Sequence, residues 1–209
     1  MTETRNQRER GYTLVEALVV MLIFGVVFTL IMSILIQTST SAADNMSRAS
    51  QVQNAQLGLM QIDRQVRSGN VILDPANETY AYSGVEPGYS LRVFTQTDGV
   101  HQCVQWRVKT DYGRGVLEYR SWDPDRSGSS GVEDWAVVAR DIVEAPDGGM
   151  PFERTNTAGT SAETSSVDVR LFVQAERTRS AATAVETTLT GRNTIYGYPI
   201  DRCDDVPAP

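Results

Sequence analysis

The sequence is poor in the residues that most often carry catalysis and metal binding. In 209 residues it has one histidine, His101, and two cysteines, Cys103 and Cys203. A single histidine leaves little for general acid–base chemistry, and two cysteines cannot build a cysteine-based metal cluster. These shortages disfavour an enzyme and predict neither a metal ion nor a cofactor.

Positive charge is scarce as well. The chain has 19 Lys and Arg against 26 Asp and Glu, a formal net charge of −7, and Lys109 is its one lysine. The arginines are scattered and form no basic patch in the sequence. An acidic chain repels phosphate backbones, so no nucleic-acid partner is predicted.

Proline is absent before Pro75, and this first part of the chain holds a long hydrophobic run. Residues 12–36 contain one carboxylate, Glu16, and follow a polar leader with three arginines, residues 1–10. As a helix, such a run spans about 37 Å and can cross a hydrocarbon core of about 30 Å. The arginines on its N-terminal side place the N terminus in the cytoplasm.

Two ordinary explanations of the hydrophobic run fall short. A secretory signal peptide has an apolar stretch of about 7–15 residues before a small-residue cleavage site. Small residues do follow, at 41–43, but the run is too long. A plain signal anchor explains the length but not Glu16, because an unpaired carboxylate within a membrane span costs a few kcal/mol and calls for a partner.

The residues around Glu16 resemble the signal of type IV prepilins. The segment Gly11-Tyr12-Thr13-Leu14-Val15-Glu16 follows a short basic leader and opens an apolar helix. In that family a membrane peptidase cleaves after the glycine and methylates the new amino terminus. The resemblance implies that Gly11 ends the leader, Tyr12 begins the mature chain and Glu16 is the acid that acts in assembly. Two features depart from the family: Tyr12 replaces the usual Phe, and the helix lacks the proline of major pilins.

The chemistry of such a signal is consistent with a buried acid. Cleavage would create an α-ammonium group on Tyr12, and the Glu16 carboxylate of a neighbouring subunit could offset that charge where the dielectric constant is low. A glycine at position 11 lets a peptidase approach the backbone closely, because it has no Cβ.

Helical periodicity continues beyond the hydrophobic run. Apolar or small side chains recur every three or four residues on one face: Ala42, Asn45, Ala49, Val52, Ala55, Leu59, Ile62 and Val66. Gly69 has the position of a C-cap. The pattern predicts a continuous helix over 12–68, about 85 Å long. The alternative is a separate amphipathic helix after a hinge at 39–43.

The remainder of the chain carries β signals. Short segments rich in β-branched and aromatic residues predict six strands, at 89–95, 101–109, 115–122, 135–143, 166–174 and 184–190. The predicted fold is α+β, with a long N-terminal helix packed on an antiparallel β-sheet head, as in pilins. The predicted organisation is a leader (1–11), a transmembrane half-helix (12–36), an amphipathic half-helix (37–69) and a head (70–209).

The order and spacing of the strands resemble the larger minor pilins and the J-type pseudopilins of type II secretion. The pairs Leu91-Arg92 and Arg192-Asn193 occupy the places of that family's cues. Two cysteines beyond a membrane most often pair, so Cys103 and Cys203 are predicted to form a disulfide. The resemblance implies that this bridge fixes the C-terminal tail to the sheet. The alternative is two unpaired, small hydrophobic side chains.

One loop fits part of a calcium-binding pattern. Asp123, Asp125 and Ser127 alternate before Gly128, and Asp134 stands where a bidentate Glu is expected. A solvated loop rich in turn formers explains the same residues, so no metal site is predicted there.

These observations predict a minor type IV pilin or pseudopilin that helps to initiate or modify a pilus or a secretion pseudopilus. Its expected partners are a prepilin peptidase, other pilins or pseudopilins, the inner-membrane assembly platform and, before assembly, membrane lipid. Its expected location is the cytoplasmic membrane, crossed once with the N terminus inside, and then a surface or periplasmic fibre. The alternative is a signal-anchored extracytoplasmic adhesin or a carboxylate-based hydrolase.

Overall fold

The computed structural model describes residues 13–126, 131–156, 165–175, 181–199 and 201–207. Gly11 and Tyr12 therefore lie outside the described residues. Within these ranges the chain forms two α-helices and eight β-strands: α1 (Leu14–Ser68), β1 (Val71–Ile72), α2 (Tyr80–Ser83), β2 (Ser90–Thr97), β3 (Val100–Asp111), β4 (Arg114–Trp122), β5 (Ala136–Val143), β6 (Phe152–Asn156), β7 (Ser165–Val173) and β8 (Thr183–Thr190).

The chain divides into two compact units, Met1–Asn45 and Met46–Pro209. In the first unit the described residues are helical from Leu14, and their side chains are exposed. The hydroxyls of Thr29, Thr38 and Thr40 each donate to the carbonyl four residues earlier, which satisfies these polar groups within the helix. α1 runs through 39–43 without a break, so the alternative of a separate helix after a hinge at 39–43 is wrong.

The second unit is built on a curled antiparallel sheet. The strand order is β1-β2-β3-β4-β5-β7-β6, and β8 pairs along β7. The predicted α+β fold, a long N-terminal helix with an antiparallel sheet, is confirmed. All six predicted strands form, and two further strands, β1 and β6, were missed. Both are short, and β6 has the sequence FERTN, which has one apolar residue to signal a strand.

One face of α1 packs on this sheet. Ala55, Leu59, Ile62 and Val66 are buried, as the periodicity predicts. They share a core with apolar side chains from β2, β3, β4, β5, β7 and β8, including Leu91, Val104, Trp106, Leu117, Ala139, Val169, Leu171 and Leu189. The predicted stripe is too long at its start, because Ala49 is exposed in this unit.

Gly58 marks the closest approach of α1 to the sheet. A Cβ at this position would lie 2.8 Å from Cδ2 of Leu117 in β4 and 3.2 Å from Cγ1 of Val138 in β5. Both distances are shorter than normal van der Waals contacts, so the missing side chain lets the helix and the strands pack together. The sequence alone presents Gly58 as a weak point in the helix, whereas the structure gives it a packing role.

We expect Gly58→Ala to destabilise the protein although alanine is the better helix former. Overpacking a core costs about 1–3 kcal/mol, against a propensity gain of about 1 kcal/mol. The measurement is denaturant unfolding of the full chain in detergent, with tryptophan fluorescence as the signal. Asn54→Ala, at an exposed position of the same helix, is the matched control and should lose no stability. A Gly58→Ala chain as stable as wild type would contradict the packing role.

A bend in β5 allows the sheet to curl. Asp141 has a φ of +61°, an uncommon conformation for a non-glycine residue. Residues 136–139 of β5 pair with β4, and beyond Asp141 the residue Ile142 pairs with both β4 and β7, while Val143 pairs with β7. The Asp141 carboxylate accepts hydrogen bonds from Nε2 of Gln51 at 2.8 Å and from Nη1 of Arg114 at 3.1 Å. These bonds hold the bend against α1 and against the β3–β4 hairpin.

Two hairpins in the sheet have turns of the same type. Asp98-Gly99 joins β2 to β3 and Tyr112-Gly113 joins β3 to β4, and all four residues have positive φ. Two-residue turns with two positive φ values are type I′, for which Asn-Gly and Asp-Gly are preferred. Asp98 follows this preference, and Tyr112 does not. A bulky residue in this conformation costs about 1–2 kcal/mol.

Candidate functional site

Glu16 lies in the first turn of α1 and is exposed. Its backbone N–H donates to Oγ1 of Thr13 at 3.3 Å, so Thr13 caps the helix. Thr13 and Glu16 have the spacing of a capping box, and the helix dipole favours a negative charge at this end. The spacing Thr-x-x-Glu is visible in the sequence, but the sequence reasoning missed this local role of Glu16.

The helical residues after Glu16 present an apolar surface all round. An 18-residue window of α1 has a mean hydropathy of 3.0, and the helix is long and apolar enough to cross a membrane. Large apolar side chains such as Leu18, Leu22, Phe24 and Ile31 are each more than half exposed in the isolated chain. Contiguous apolar surface of this extent marks a site that contacts lipid or other apolar segments.

A buried polar layer lies on the other face of the sheet. We call it the arginine layer; it consists of Glu78, Ser90, Arg92, Gln105, Arg107, Glu118 and Arg120. Strand register puts Arg92, Gln105 and Arg120 in one row across β2, β3 and β4, and Ser90, Arg107 and Glu118 in the next row. Successive side chains of a strand point to opposite faces of the sheet. The neighbours of Gln105 and Arg107 in β3, such as Trp106, therefore face α1.

Each arginine of this layer has close hydrogen-bond acceptors. Nη2 of Arg92 lies 2.8 Å from Oε1 of Glu78, and Nε of Arg107 lies 2.7 Å from Oε2 of Glu118. Arg120 donates to the side-chain oxygen of Gln105. The Trp135 ring covers the layer, with its centroid 3.7 Å from Cζ of Arg107 and 4.3 Å from Cζ of Arg120, which adds cation–π attraction.

Burial shifts the titration of this layer. It raises the pKa of the Glu78 carboxyl above its ordinary value, against the opposing effect of the Arg92 charge. Burial, together with the like charges of Arg107 and Arg126, lowers the pKa of Arg120 to about 10. Charges that are this costly to bury depend on their partners, because removing one partner leaves the other uncompensated.

The C-terminal tail, residues 201–207, is attached to the arginine layer. The structure contains the predicted disulfide between Cys103 and Cys203, a separation of 100 residues in the chain. Nη1 of Arg92 donates to the carbonyl of Cys203, and Nη2 of Arg120 donates to the carbonyl of Pro207 at 2.9 Å. The bridge and the two arginines together fix the tail to the sheet.

The calcium-like loop also contacts the tail. Oδ1 of Asp125 lies 3.0 Å from Nη1 of Arg202, and Oδ1 of Asp123 accepts the N–H of Asp125. Ser127 and Gly128 lie outside the described residues. Among the residues that the structure describes, no three His, Cys, Asp or Glu side chains are close enough together to hold a metal ion.

The other residues singled out in the sequence have structural contacts. Leu91 is buried in the core beside α1, and Arg92 points to the arginine layer. Nδ2 of Asn193 donates to the carbonyl of Ser68 at the end of α1, at 3.4 Å. His101 packs against the rings of Phe94 and Tyr198, with centroids 5.2 and 5.8 Å away.

We expect Arg92→Ala to destabilise the head by about 3–5 kcal/mol, because it leaves Glu78 buried without its charge partner. Arg67→Ala is the matched control, since Arg67 has an equally close carboxylate, Asp63 at 2.6 Å, but is half exposed. An exposed pair at this spacing contributes about 0.2–0.5 kcal/mol. Denaturant unfolding of both full-length variants measures the difference, and equal losses would contradict the importance of burial.

Comparison with known proteins gives one finding on the N-terminal segment. Residues 6–32 match the family model of the prokaryotic N-terminal methylation motif. No curated protein and no solved structure matches the chain significantly. The match covers the end of the leader, Gly11, Tyr12, Glu16 and most of the hydrophobic run. The chain therefore carries the N-terminal prepilin signal of type IV pilin-like proteins.

Proposed function

We propose that this protein is a minor type IV pilin or pseudopilin that helps to initiate or modify a fibre. The observation that carries the proposal is the methylation motif at 6–32 on a helix whose apolar surface is uncovered in the isolated chain. A prepilin peptidase would cleave between Gly11 and Tyr12 and methylate the new amine. The head would lie outside the cytoplasmic membrane and the leader inside it, as the leader arginines favour.

The apolar surface explains how one helix serves two environments. Before assembly, lipid would cover the side chains of residues 14–36. In a fibre, the equivalent helices of other pilins or pseudopilins would cover them, so the surface exchanges one apolar environment for another. Such an exchange has little hydrophobic driving force, and close packing and polar contacts must then guide assembly.

Glu16 would supply the polar contact. Its carboxylate would offset the charge on the amino terminus of a neighbouring subunit, in a low-dielectric contact where both charges are costly alone. The head would provide the contacts that distinguish this subunit from others. Its expected partners are the peptidase, sister subunits and the inner-membrane assembly platform.

The experiment that tests the proposal is the N-terminal mass of the chain isolated from membranes of its native host. A chain that begins at Tyr12 with one added methyl group is the expected result. An intact Met1 would refute processing and favour the signal-anchored alternative. A start near Ala43 would indicate an ordinary secreted domain and would also refute the proposal.

Glu16 substitutions separate the assembly role from the helix-capping role. We expect Glu16→Ala and Glu16→Gln both to be cleaved normally and both to enter fibres poorly, because each removes the negative charge. Glutamine can still complete a capping box. The measurement is the fraction of processed chain recovered with sister subunits in sheared fibres. Wild-type incorporation of Glu16→Gln would show that capping, and not charge, is what assembly needs.

A further inference from the structure

Strand β8 (Thr183–Thr190) is a long free edge of the curled sheet. It pairs with one side of β7, while β5 and β6 share the other side of β7. No described residue pairs with the far side of β8. The backbone N–H and C=O groups that point outward from β8 are therefore open to another extended strand.

The sequence of β8 lacks the features that normally protect such an edge. Native proteins use short strands, charges, prolines or bulges for this purpose. The pairing of β8 with β7 runs in register over the whole strand without a bulge, and its sequence, TAVETTLT, has one charged residue, Glu186, and no proline. The two ends of the strand order do follow the rule. β1 has two residues, and β6 has five, of which Glu153 and Arg154 are charged.

The side chains of β8 indicate which kind of strand fits beside it. Exposed side chains alternate with half-buried or buried ones along its length. Val185, on the less exposed face, packs against the apolar core but is only partly buried. An apolar side chain in an added strand would cover the rest of Val185, and hydroxyl side chains would lie beside the threonines of the exposed face. A strand that alternates apolar and hydroxyl residues therefore matches β8.

Acidic groups surround the centre of the edge. On the exposed face, the described residues of β6, β7 and β8 include three carboxylates, Glu153, Asp168 and Glu186, and one guanidinium, Arg170. Nε of Arg170 lies 3.3 Å from Oε1 of Glu186, and Nη2 of the same arginine lies 2.8 Å from Oδ2 of Asp147. One arginine is thus shared among several acids, so a further basic side chain beside Glu186 is favoured.

Positive charge near the edge lies at its two ends. Nη2 of Arg48 donates to Oγ1 of Thr183 at 2.8 Å, and Arg192 follows Thr190 by two positions. A partner strand should therefore be basic at its centre and not at its ends. The net charge of −7 opposes a second copy of this chain as the partner.

We propose that β8 binds an extended segment of a different protein as an added strand. That segment alternates apolar and hydroxyl side chains and carries a basic residue beside Glu186. Main-chain hydrogen bonds would supply affinity, and the side chains beside Val185 and Glu186 would supply specificity. The interface goes beyond the proposed function, and its failure would leave the N-terminal mass of the chain unchanged.

A synthetic peptide of this type tests the proposal on the full chain in detergent. The probe alternates threonine and valine, with lysine in place of the central threonine. Fluorescence anisotropy of the labelled probe should show saturable binding. Amide hydrogen exchange should show new protection of β8 and none of β1 or β6. A control peptide, N-methylated at two adjacent central residues, loses a backbone donor on both of its edges and should not bind.

Two substitutions test the edge and the charge separately. Val185→Lys places an inward-pointing charge on the edge, which blocks strand pairing, and should abolish binding. Val100→Lys, at an exposed valine of β3, is the matched control and should bind like wild type. Glu186→Lys should weaken binding of the lysine probe about two- to fivefold and strengthen binding of a probe with glutamate in its place by a similar factor.

Thermal unfolding of each variant shows whether the head is folded, and the exposed Glu186→Lys decides the test if Val185→Lys does not fold. The proposal would be overturned by absent binding, by equal binding of the N-methylated peptide, or by binding that the folded variants leave unchanged. Protection of β8 that appears without the probe and rises with chain concentration would assign the edge to a second copy, and would overturn the proposal as well.

Discussion

The structure depends on how the apolar surface of α1 is covered. Between Ala55 and Val66 that surface is one-sided, and the chain supplies its own cover in the form of the curled sheet. Over residues 14–36 the surface is apolar all round, and the described residues leave it exposed. Water is an unfavourable solvent for such a surface, so another molecule must cover it. The N-terminal methylation motif, residues 6–32, includes the first part of this apolar surface. The motif and the uncovered surface therefore belong to the same segment of the chain.

The two faces of the sheet bury different kinds of side chain. The face towards α1 is filled with apolar side chains, and Gly58 allows the backbone of the helix to come close to it. The other face buries arginines, which demand acceptors. Glu78, Glu118 and the carbonyl groups of the tail provide them, and the Trp135 ring lies over the guanidinium groups of Arg107 and Arg120. A substitution that changes side-chain volume would destabilise the apolar core. A substitution that removes one charge would destabilise the arginine layer, because it leaves the partner charge buried.

Periodicity predicted most of the fold because it records which residues are buried. Val104, Trp106 and Val108 alternate in β3, and Leu59, Ile62 and Val66 follow a helical period, so both elements were predicted correctly. The short strands β1 and β6 carry too little pattern to be visible. The partners of Arg92 and the bend at Asp141 depend on side chains far apart in the sequence, such as Glu78 and Gln51, which local patterns do not connect. The motif around Gly11 and Glu16 was recognisable because its residue types and spacing are specific, although their roles remain predictions.

The disulfide also sets an order of events. Cys203 is synthesised 100 residues after Cys103, so β2, β3 and β4 exist before the segment that closes over their outer face. Until residues 203–207 arrive, Arg92 and Arg120 lack two of their carbonyl acceptors and Cys103 has no cysteine to pair with. The segment that completes the arginine layer is thus made after the strands that carry the arginines. A chain interrupted before Cys203 would expose an unpaired thiol at Cys103 and arginines that lack part of their acceptors.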